Sequence, residues 1–400
     1  MSARTPLTTI ARLISEQAII RGLTAISKVH KLDISGFVRA SNTPTPPTTA
    51  NDDHASETIL RTAQLIGVGN WMTDQAKERL DQLERELESE IRNDDPKENG
   101  TDRLFANAEK RTANAFCDIQ DELEANLKKV ATIIGQDHSK SLAVHHGVTG
   151  APKELQPDKL KVLGLTLDEH FKKLADDLMV RFKSQIRIGL DAGDTTDELV
   201  KRIAGTKSPV KAHEVYAGLK TLGLVQAAGP LTLAFNGILD TTLNSFSMVI
   251  LNAVASAAHD IEDGIFDGLD DDDSATMGIQ WVCALENTCQ MCLVYDGSQW
   301  DSDLNPVGDA PEYPGDPPEA MHPNCRCKTV TVDLSEQPAK STGMDDYFRK
   351  QSPDVLAASF GRAPAKAFLE GDIDGKSLLS SGFKLSPEAF ARLRPQMESI

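Results

Sequence analysis

The sequence lacks the short motifs that position catalytic groups in common enzyme families. It contains no GxxxxGKS or GxxxxGKT phosphate loop, no HExxH, no GxSxG, and no GxGxxG after a predicted strand. These absences remove the usual signs of nucleotide-dependent, metalloprotease, serine hydrolase and dinucleotide-dependent chemistry. We therefore expect no enzymatic activity from this chain.

Aromatic residues and net positive charge are also scarce. Aromatics make 5% of 400 residues, against 40% for hydrophobic residues together. This balance favours helices packed through Leu, Ile and Ala over an aromatic-rich β sandwich. The formal net charge is −18 at pH 7. Because duplex binding relies on Lys and Arg to neutralise phosphates, we expect no strong direct binding of nucleic acid.

No long, purely apolar run is present either. Residues 1–36 mix apolar and charged positions and show no secretory signal. Residues 241–259 carry no formal charge, but Asn and Ser are scattered through them. We predict a buried helix there and no membrane partner.

The remaining patterns predict a mainly α fold with a small β element: a long helical hairpin, then a helical domain ending in a small sheet closed by Cys and His. A chain of 400 residues is long enough for two or three compact units. Proline and polar runs mark the boundaries. The predicted units are an N-terminal helical segment 1–36 (a docking peptide or a packed first helix), a Pro-rich linker 37–55, an antiparallel hairpin 56–140, a domain 160–335 and a helical tail 343–400.

The hairpin prediction rests on apolar residues recurring every three or four positions over 56–92 and 102–135. Cys117, in the second helix, is predicted to be a buried thiol. Gly, His and Pro punctuate the following residues 135–158, which predicts a loop. Its histidines, His138, His145 and His146, are given no metal role because no second cluster at suitable spacing is evident.

Two further helices are predicted within the domain. Thr166 and Glu169 form a capping box, which marks the start of an amphipathic helix. Pro230 suits a first helical position and opens an apolar helix to about Ile261, predicted to be the central buried element. Residues 278–285 and 326–332 have strand character, and we expect them to pair.

The strongest signal is a cysteine block at residues 281–327. Five of the six cysteines lie there: Cys283, Cys289, Cys292, Cys325 and Cys327. With His322 they form a Cys-x-x-Cys pair followed by His-x-x-Cys-x-Cys, a spacing that suits tetrahedral coordination of zinc. The candidate ligands are Cys289, Cys292, His322, Cys325 and Cys327, with the fourth ligand undecided between the last two cysteines.

Other interpretations of the cysteine block stay open. The thiols can be reduced members of a small core, or pairs of them can form disulfides in an oxidising setting. A catalytic version would use a metal-bound water with Glu286 as general base. Four or five soft ligands would instead close the coordination sphere, which is typical of a structural zinc.

The block has a specific order of residues: Trp281, Glu286, Cys289, Cys292, Asp296, Gly297 and the run His322-Pro323-Asn324-Cys325-Arg326-Cys327. This order resembles the signature of the Mu protein F-like minor head proteins of tailed bacteriophages. The resemblance covers about residues 185–395 and is strongest at the cysteines. Glu286 stands where the family usually has Asp, and the excursion 295–321 is long.

The resemblance implies a virion structural protein that takes part in head morphogenesis. It implies the portal protein and the major capsid protein as partners, self-association among the contacts, and assistance in DNA packaging or ejection. It places the chain in the virion head, and in the host cytoplasm during assembly. The alternative function is a zinc-closed nucleic-acid-binding module in which Arg326 and Lys328 contact phosphates.

Overall fold

The structure is a computed structural model in which the fold is mainly helical with a small antiparallel sheet, and this confirms the predicted fold class. The predicted N-terminal segment 1–36 lies outside the residues that the structure describes. The described residues are 49–205, 229–269, 276–283, 292, 294–317, 321, 325, 327–339, 345, 348–349, 351–379 and 384–397.

Two long helices form the predicted hairpin. Helix α1 spans Ala50–Asn93 and helix α3 spans Asp102–His146, with the one-turn helix α2, Pro96–Asn99, between them. Their facing sides bury apolar residues at helical spacing, including Leu83 on α1, which is 1% exposed. These residues belong to one continuous apolar cluster with the later helix of residues 229–266. The hairpin is therefore packed into the rest of the fold.

Helix α1 begins earlier than predicted. Residues 50–55, assigned from sequence to the Pro-rich linker, are helical. The cause is a capping box: the Thr49 hydroxyl accepts from Asp52 N at 3.1 Å, and Asp52 Oδ2 accepts from Thr49 N at 3.1 Å. The nearby prolines obscured this start signal.

Helix α3 ends later than predicted. A loop was expected over residues 135–158, but residues 135–146 are helical, so the prediction is wrong for that part. Gly135 is tolerated inside the helix because it gives room to a neighbour: a Cβ added there would lie 2.6 Å from Pro152 Cβ. Gly147, in the left-handed conformation, ends the helix. The expectation for Cys117 is also wrong, since this residue is exposed.

A short connection and two capped helices follow. Strands β1, Lys161–Val162, and β2, Leu165–Thr166, form a small antiparallel hairpin. Helix α4, Leu167–Ala192, starts at the predicted capping box of Thr166 and Glu169. Helix α5 spans Thr196–Ala204 and has a capping box of its own.

Helix α6, Gly229–Phe266, packs against α1, α3, α4 and α5, which confirms its predicted central place. It is interrupted at Gly237, where φ is 80°. A Cβ at this position would lie 2.6 Å from the backbone of Ile203, so only glycine fits the approach of α5. Residues 237–266 are long and apolar enough to cross a membrane, and half of their most apolar window is buried inside the protein.

A three-stranded antiparallel sheet follows α6. Strand β3, Met277–Val282, pairs with β5, Lys328–Asp333, as predicted, with Ile279 opposite Thr331. The short strand β4, Gln299–Asp301, pairs on the other side of β3 and was not predicted. The strand order in the sheet is β4-β3-β5, so β3 is the middle strand. In the chain, Cys283 directly follows β3.

The described C-terminal residues include four short helices with defined bounds, where the sequence predicts a helical tail. Backbone N of Leu385 donates to Gly67 O at 2.9 Å, which attaches this region to α1. Phe348, Phe360 and Phe368 form a buried aromatic group beside it. The helices are α7 (Pro353–Phe360), α8 (Arg362–Glu370), α9 (Gly375–Leu379) and α10 (Pro387–Met397).

Buried charges join the helices to the sheet. Arg61 on α1 is fully buried. Its Nη1 lies 2.6 Å from Asp137 Oδ2 on α3, and its Nε lies 3.3 Å from Glu262 Oε1 on α6. Lys328 on β5 lies 3.4 Å from Glu262 Oε2. Two cations and two anions therefore balance one another away from water. We call these four residues the buried ion network.

Candidate metal centre

Four cysteines meet at the end of the sheet. Cys283 follows β3, Cys292 lies in the next connection, and Cys325 and Cys327 lead into β5; all are buried. They pack with Trp281 and other aromatic residues in a cluster separate from the main apolar core. Pairing of β3 with β5 is what brings residues some 40 positions apart to one point.

The sulfur positions suit a tetrahedral metal ion. Sγ atoms of Cys292, Cys325 and Cys327 lie within 4.8 Å of one another. The Cys292–Cys325 and Cys283–Cys327 sulfurs are each 3.5 Å apart. Zinc–sulfur bonds of about 2.3 Å at tetrahedral angles place two sulfurs about 3.8 Å apart. A disulfide requires about 2.05 Å, so these distances fit shared coordination better than bonding between sulfurs.

The thiol electrostatics depend on whether a cation is present. Hydrogen bonds with Cys283 and Cys325, together with burial, raise the pKa of Cys327. Without a cation the group is therefore a neutral thiol at physiological pH. A coordinating metal reverses this preference, because a thiol that binds a metal ion is deprotonated.

Asp296 and Gly297 shape the turn beside the cysteines. Asp296 Oδ1 accepts from Cys283 N at 2.8 Å, and Gly297 N donates to Trp281 O at 2.9 Å. Gly297 has φ 83°, a conformation that glycine adopts without strain. The two residues fold the chain back against β3, which positions Cys283 and Cys292 on one side.

The excursion after Cys292 is held by aromatic packing and by an ion pair. The rings of Trp300 and Tyr313 pack edge to face with their centroids 5.1 Å apart, and Trp300 Nε1 donates to Pro311 O at 2.8 Å. Asp316 lies 3.1 Å from His259 Nε2 on α6 and accepts from the Tyr313 hydroxyl. Apolar side chains are few in this segment, but its aromatic residues are enough to organise residues 294–317.

The structure brings together three of the five predicted ligands: Cys292, Cys325 and Cys327. The other two, Cys289 and His322, lie outside the described residues, as does Glu286. Sequence reasoning left Cys283 out of the ligand set. Its position two residues after Trp281 in a predicted strand was the available signal, because such residues share one face.

One expected contact of the alternative function is wrong. Lys328 was expected to touch phosphates, but it is 3% exposed and paired with Glu262. Burial within an ion pair removes its ammonium group from any surface that DNA could reach. Arg326 lies outside the described residues.

Comparisons of the chain with family descriptions, with curated proteins and with solved structures found no match.

Proposed function

We propose that this chain is a minor head protein of a tailed bacteriophage, a structural component of the virion. The observation that carries the proposal is that several residues matching the minor head protein signature lie close together in the structure. Trp281, Cys292, Cys325 and Cys327 are spread over 47 sequence positions, 281–327, and lie in one buried cluster, in which the Cys292 and Cys325 sulfurs are in contact. Asp296 is exposed at the edge of this cluster and accepts from Cys283 N.

The proposed role is assembly of the head together with the portal protein and the major capsid protein. The chain would enter the head in few copies and assist packaging or ejection of DNA. A net charge of −18 fits this setting, because an acidic protein beside packed DNA is repelled by its phosphates and does not adhere to them.

The experiment that tests this role is mass spectrometry of purified virions and procapsids from the phage that encodes the chain. The expected result is the protein at a few copies per particle, well below the major capsid protein. Absence from both particles overturns the proposal. Mixing the purified protein with duplex DNA at low salt tests the alternative, since only a nucleic-acid module gives binding that falls steeply with added salt.

The cysteine cluster would hold one structural zinc ion in this protein. Cys292, Cys325 and Cys327 supply three thiolates, and the fourth position is filled by Cys283, Cys289 or His322. A closed set of this kind supplies no open position for substrate, so the ion stabilises the fold and takes no part in catalysis.

Metal analysis of protein purified without chelator tests the zinc proposal. We expect one thiolate-bound zinc per chain and its loss in Cys325→Ser. Separate Cys283→Ser, Cys289→Ser and His322→Gln variants identify the fourth ligand as the one whose loss also releases zinc. Cys117→Ser changes an exposed thiol and serves as the control. Full retention of zinc in Cys325→Ser contradicts this assignment.

A further inference from the structure

Four histidines converge where the start of α1 meets the end of α3. The ring of His54 lies 5.5 Å from His138, 5.7 Å from His145 and 5.2 Å from His146, measured between centroids. We call these four residues the histidine cluster. Their meeting follows from the two corrections to the helix bounds, because His54 lies in the first turns of α1 and the others lie in the last turns of α3.

Glu57 and Ser141 fix the protonation of His54. Ser141 donates its single hydroxyl hydrogen to Glu57 Oε2 at 2.7 Å, so its oxygen accepts from His54 Nδ1 at 2.9 Å. A neutral His54 therefore carries its lone pair on Nε2. That atom is buried and has no hydrogen-bond partner among the described residues.

The ring of His54 is neutral because charge is unfavourable at this place. Burial lowers its pKa well below the usual value, and the nearby His138, His146 and Arg61 lower it further. Burial and the neighbouring His145 also lower the pKa of His146. Neutral imidazole is the form that binds metal ions.

His138 has a different role from the other three rings. Its Nδ1 lies 3.3 Å from Arg61 Nη2, and a guanidinium group can only donate, so Nδ1 accepts and Nε2 carries the hydrogen. His138 therefore orients the buried ion network and does not supply a ligand. His146 Nε2, like His138 Nε2, is buried with no hydrogen-bond partner among the described residues.

Three groups of the cluster already have the spacing of a metal site. One ring nitrogen of His54, one of His145 and one carboxylate oxygen of Glu57 lie within 4.8 Å of one another. His145 Nε2 is 3.2 Å from Glu57 Oε2. The side chains of His145 and Glu57 are 18% and 16% exposed, so an ion can enter from solvent on their side.

We infer that the histidine cluster binds a divalent transition metal ion, such as zinc, through His54, Glu57 and His145, with His146 next to the fourth position. Imidazole and carboxylate ligands suit zinc and its first-row neighbours, whereas calcium and magnesium prefer oxygen alone. The hydrogen bond between His54 and Ser141 corresponds to the outer contact that orients a metal-binding histidine. This site is separate from the cysteine centre and independent of the role proposed above.

Bound metal would fasten the first turns of α1 to the last turns of α3. His54 and Glu57 are one turn apart on α1, and His145 is one turn beyond Ser141 on α3, so one ion bridges both helices. The ion would also satisfy buried ring nitrogens that otherwise cost free energy. The two helix ends would therefore stay joined more firmly with metal than without it.

Titration of the metal-free full-length chain with Co²⁺ distinguishes this site from the cysteine centre. Thiolate ligands give strong charge-transfer absorption in the near ultraviolet, whereas imidazole and carboxylate ligands give visible ligand-field bands alone. We expect a second equivalent of Co²⁺ that adds visible bands without further thiolate absorption. Saturation after the thiolate-bound equivalent overturns the inference.

Variants then assign the second equivalent to its ligands. His54→Gln combined with His145→Gln should abolish it and leave the thiolate absorption intact. His170→Gln is the matched control, because His170 is buried on α4 and bonds to Val162 O at 2.6 Å outside the cluster. Should the double variant fail to fold by circular dichroism, Glu57→Gln is measured, with Co²⁺ affinity expected to fall at least about tenfold. Retention of the second equivalent in a folded double variant, or unchanged affinity in Glu57→Gln, overturns the inference.

Discussion

The helical body and the cysteine block are held together by different means. In the helical body, α1, α3 and α6 bury a continuous apolar cluster along their length. In the cysteine block, short strands carry a small cluster of thiols and aromatic rings. The body gains stability from apolar area removed from water, whereas the block has little such area and relies on a few specific contacts.

This difference indicates where each region fails when it is perturbed. A packed helical core is sensitive to shape and charge at single buried positions, and its apolar packing needs no metal ion. A small block of thiols and turns is sensitive to whatever joins its ends. The buried ion network lies between the two regions, since Arg61 belongs to α1 and Lys328 to β5.

The largest expected effect tests the body. Leu83→Asp places a carboxylate at a site that is 1% exposed, so stability should fall by about 5 kcal/mol or more. Urea unfolding followed by circular dichroism measures the change. Glu78→Asp puts the same carboxylate at an exposed position of α1 and should leave stability within about 0.5 kcal/mol of the original. Equal midpoints for the two variants would show that the stripe is not a core.

The second-largest expected effect tests the buried ion network, which lies between the helical body and the cysteine block. Arg61→Met removes one buried cation and leaves Asp137 and Glu262 without their shared partner, which should cost about 3 to 5 kcal/mol. Adding Asp137→Asn to this variant should recover part of the loss, because it removes one uncompensated charge. A double variant as unstable as the sum of its single changes would argue against coupling in the network.

Removal of the cysteine-bound metal tests the block. In His54→Gln combined with His145→Gln, which lacks the proposed second site, a chelator acts on the block alone. Chelation should cost the block about 3 to 4 kcal/mol, as expected for an ion present at a few hundred times its dissociation constant. Cleavage within residues 293–321 by a protease should accelerate, while helical circular dichroism stays nearly constant. An unchanged cleavage rate would mean that the packing of Trp300, Tyr313 and Asp316 is sufficient to hold the segment.

The stability that the buried ion network contributes should fall over a defined range of acidic pH. Burial raises the pKa of Glu262, but Lys328 and Arg61 outweigh burial and lower it to about 2 from a usual 4.5. The ionised group therefore contributes stability that is present above about pH 4.5 and is lost as pH falls towards 2, on the order of 3 kcal/mol. Denaturant unfolding across this range should show a shallower pH slope for Glu262→Gln. Glu78→Gln controls for the loss of one carboxylate, and equal slopes for the two variants would contradict this account.

Sequence periodicity was sufficient for the helices and insufficient for their ends. Leu83, Phe246 and Ile250 lie in the buried stripes that their spacing indicates. The start of α1 at Ala50 was missed because prolines precede its cap, and the end of α3 at His146 was missed because Gly135 looked like a break. Both errors concealed the histidine cluster, in which His54 is 84 or more positions from the other three histidines.

The sequence predicted a thiol-rich metal centre, but it identified only some of the cysteines that come together there. Spacing identified Cys292, Cys325 and Cys327 because ligand pairs separated by a short turn leave a local pattern. Cys283 was left out because its approach to Cys327, at 3.5 Å, depends on the pairing of β3 with β5. Strand character at both segments made the pairing predictable, but its register, which sets the distance between these two sulfurs, is a long-range property that no local pattern encodes.

By itself the sequence determined the helical class, the paired strands β3 and β5, and the concentration of thiols near residue 300, because each follows from the order of neighbouring residues. The tertiary structure alone decided that Arg61, Glu262 and Lys328 neutralise one another, and that His54 meets His145. Side chains on different helices and strands come together only when apolar surfaces pack. Their charges, protonation and metal affinity are then set by burial and by neighbours far away in the chain.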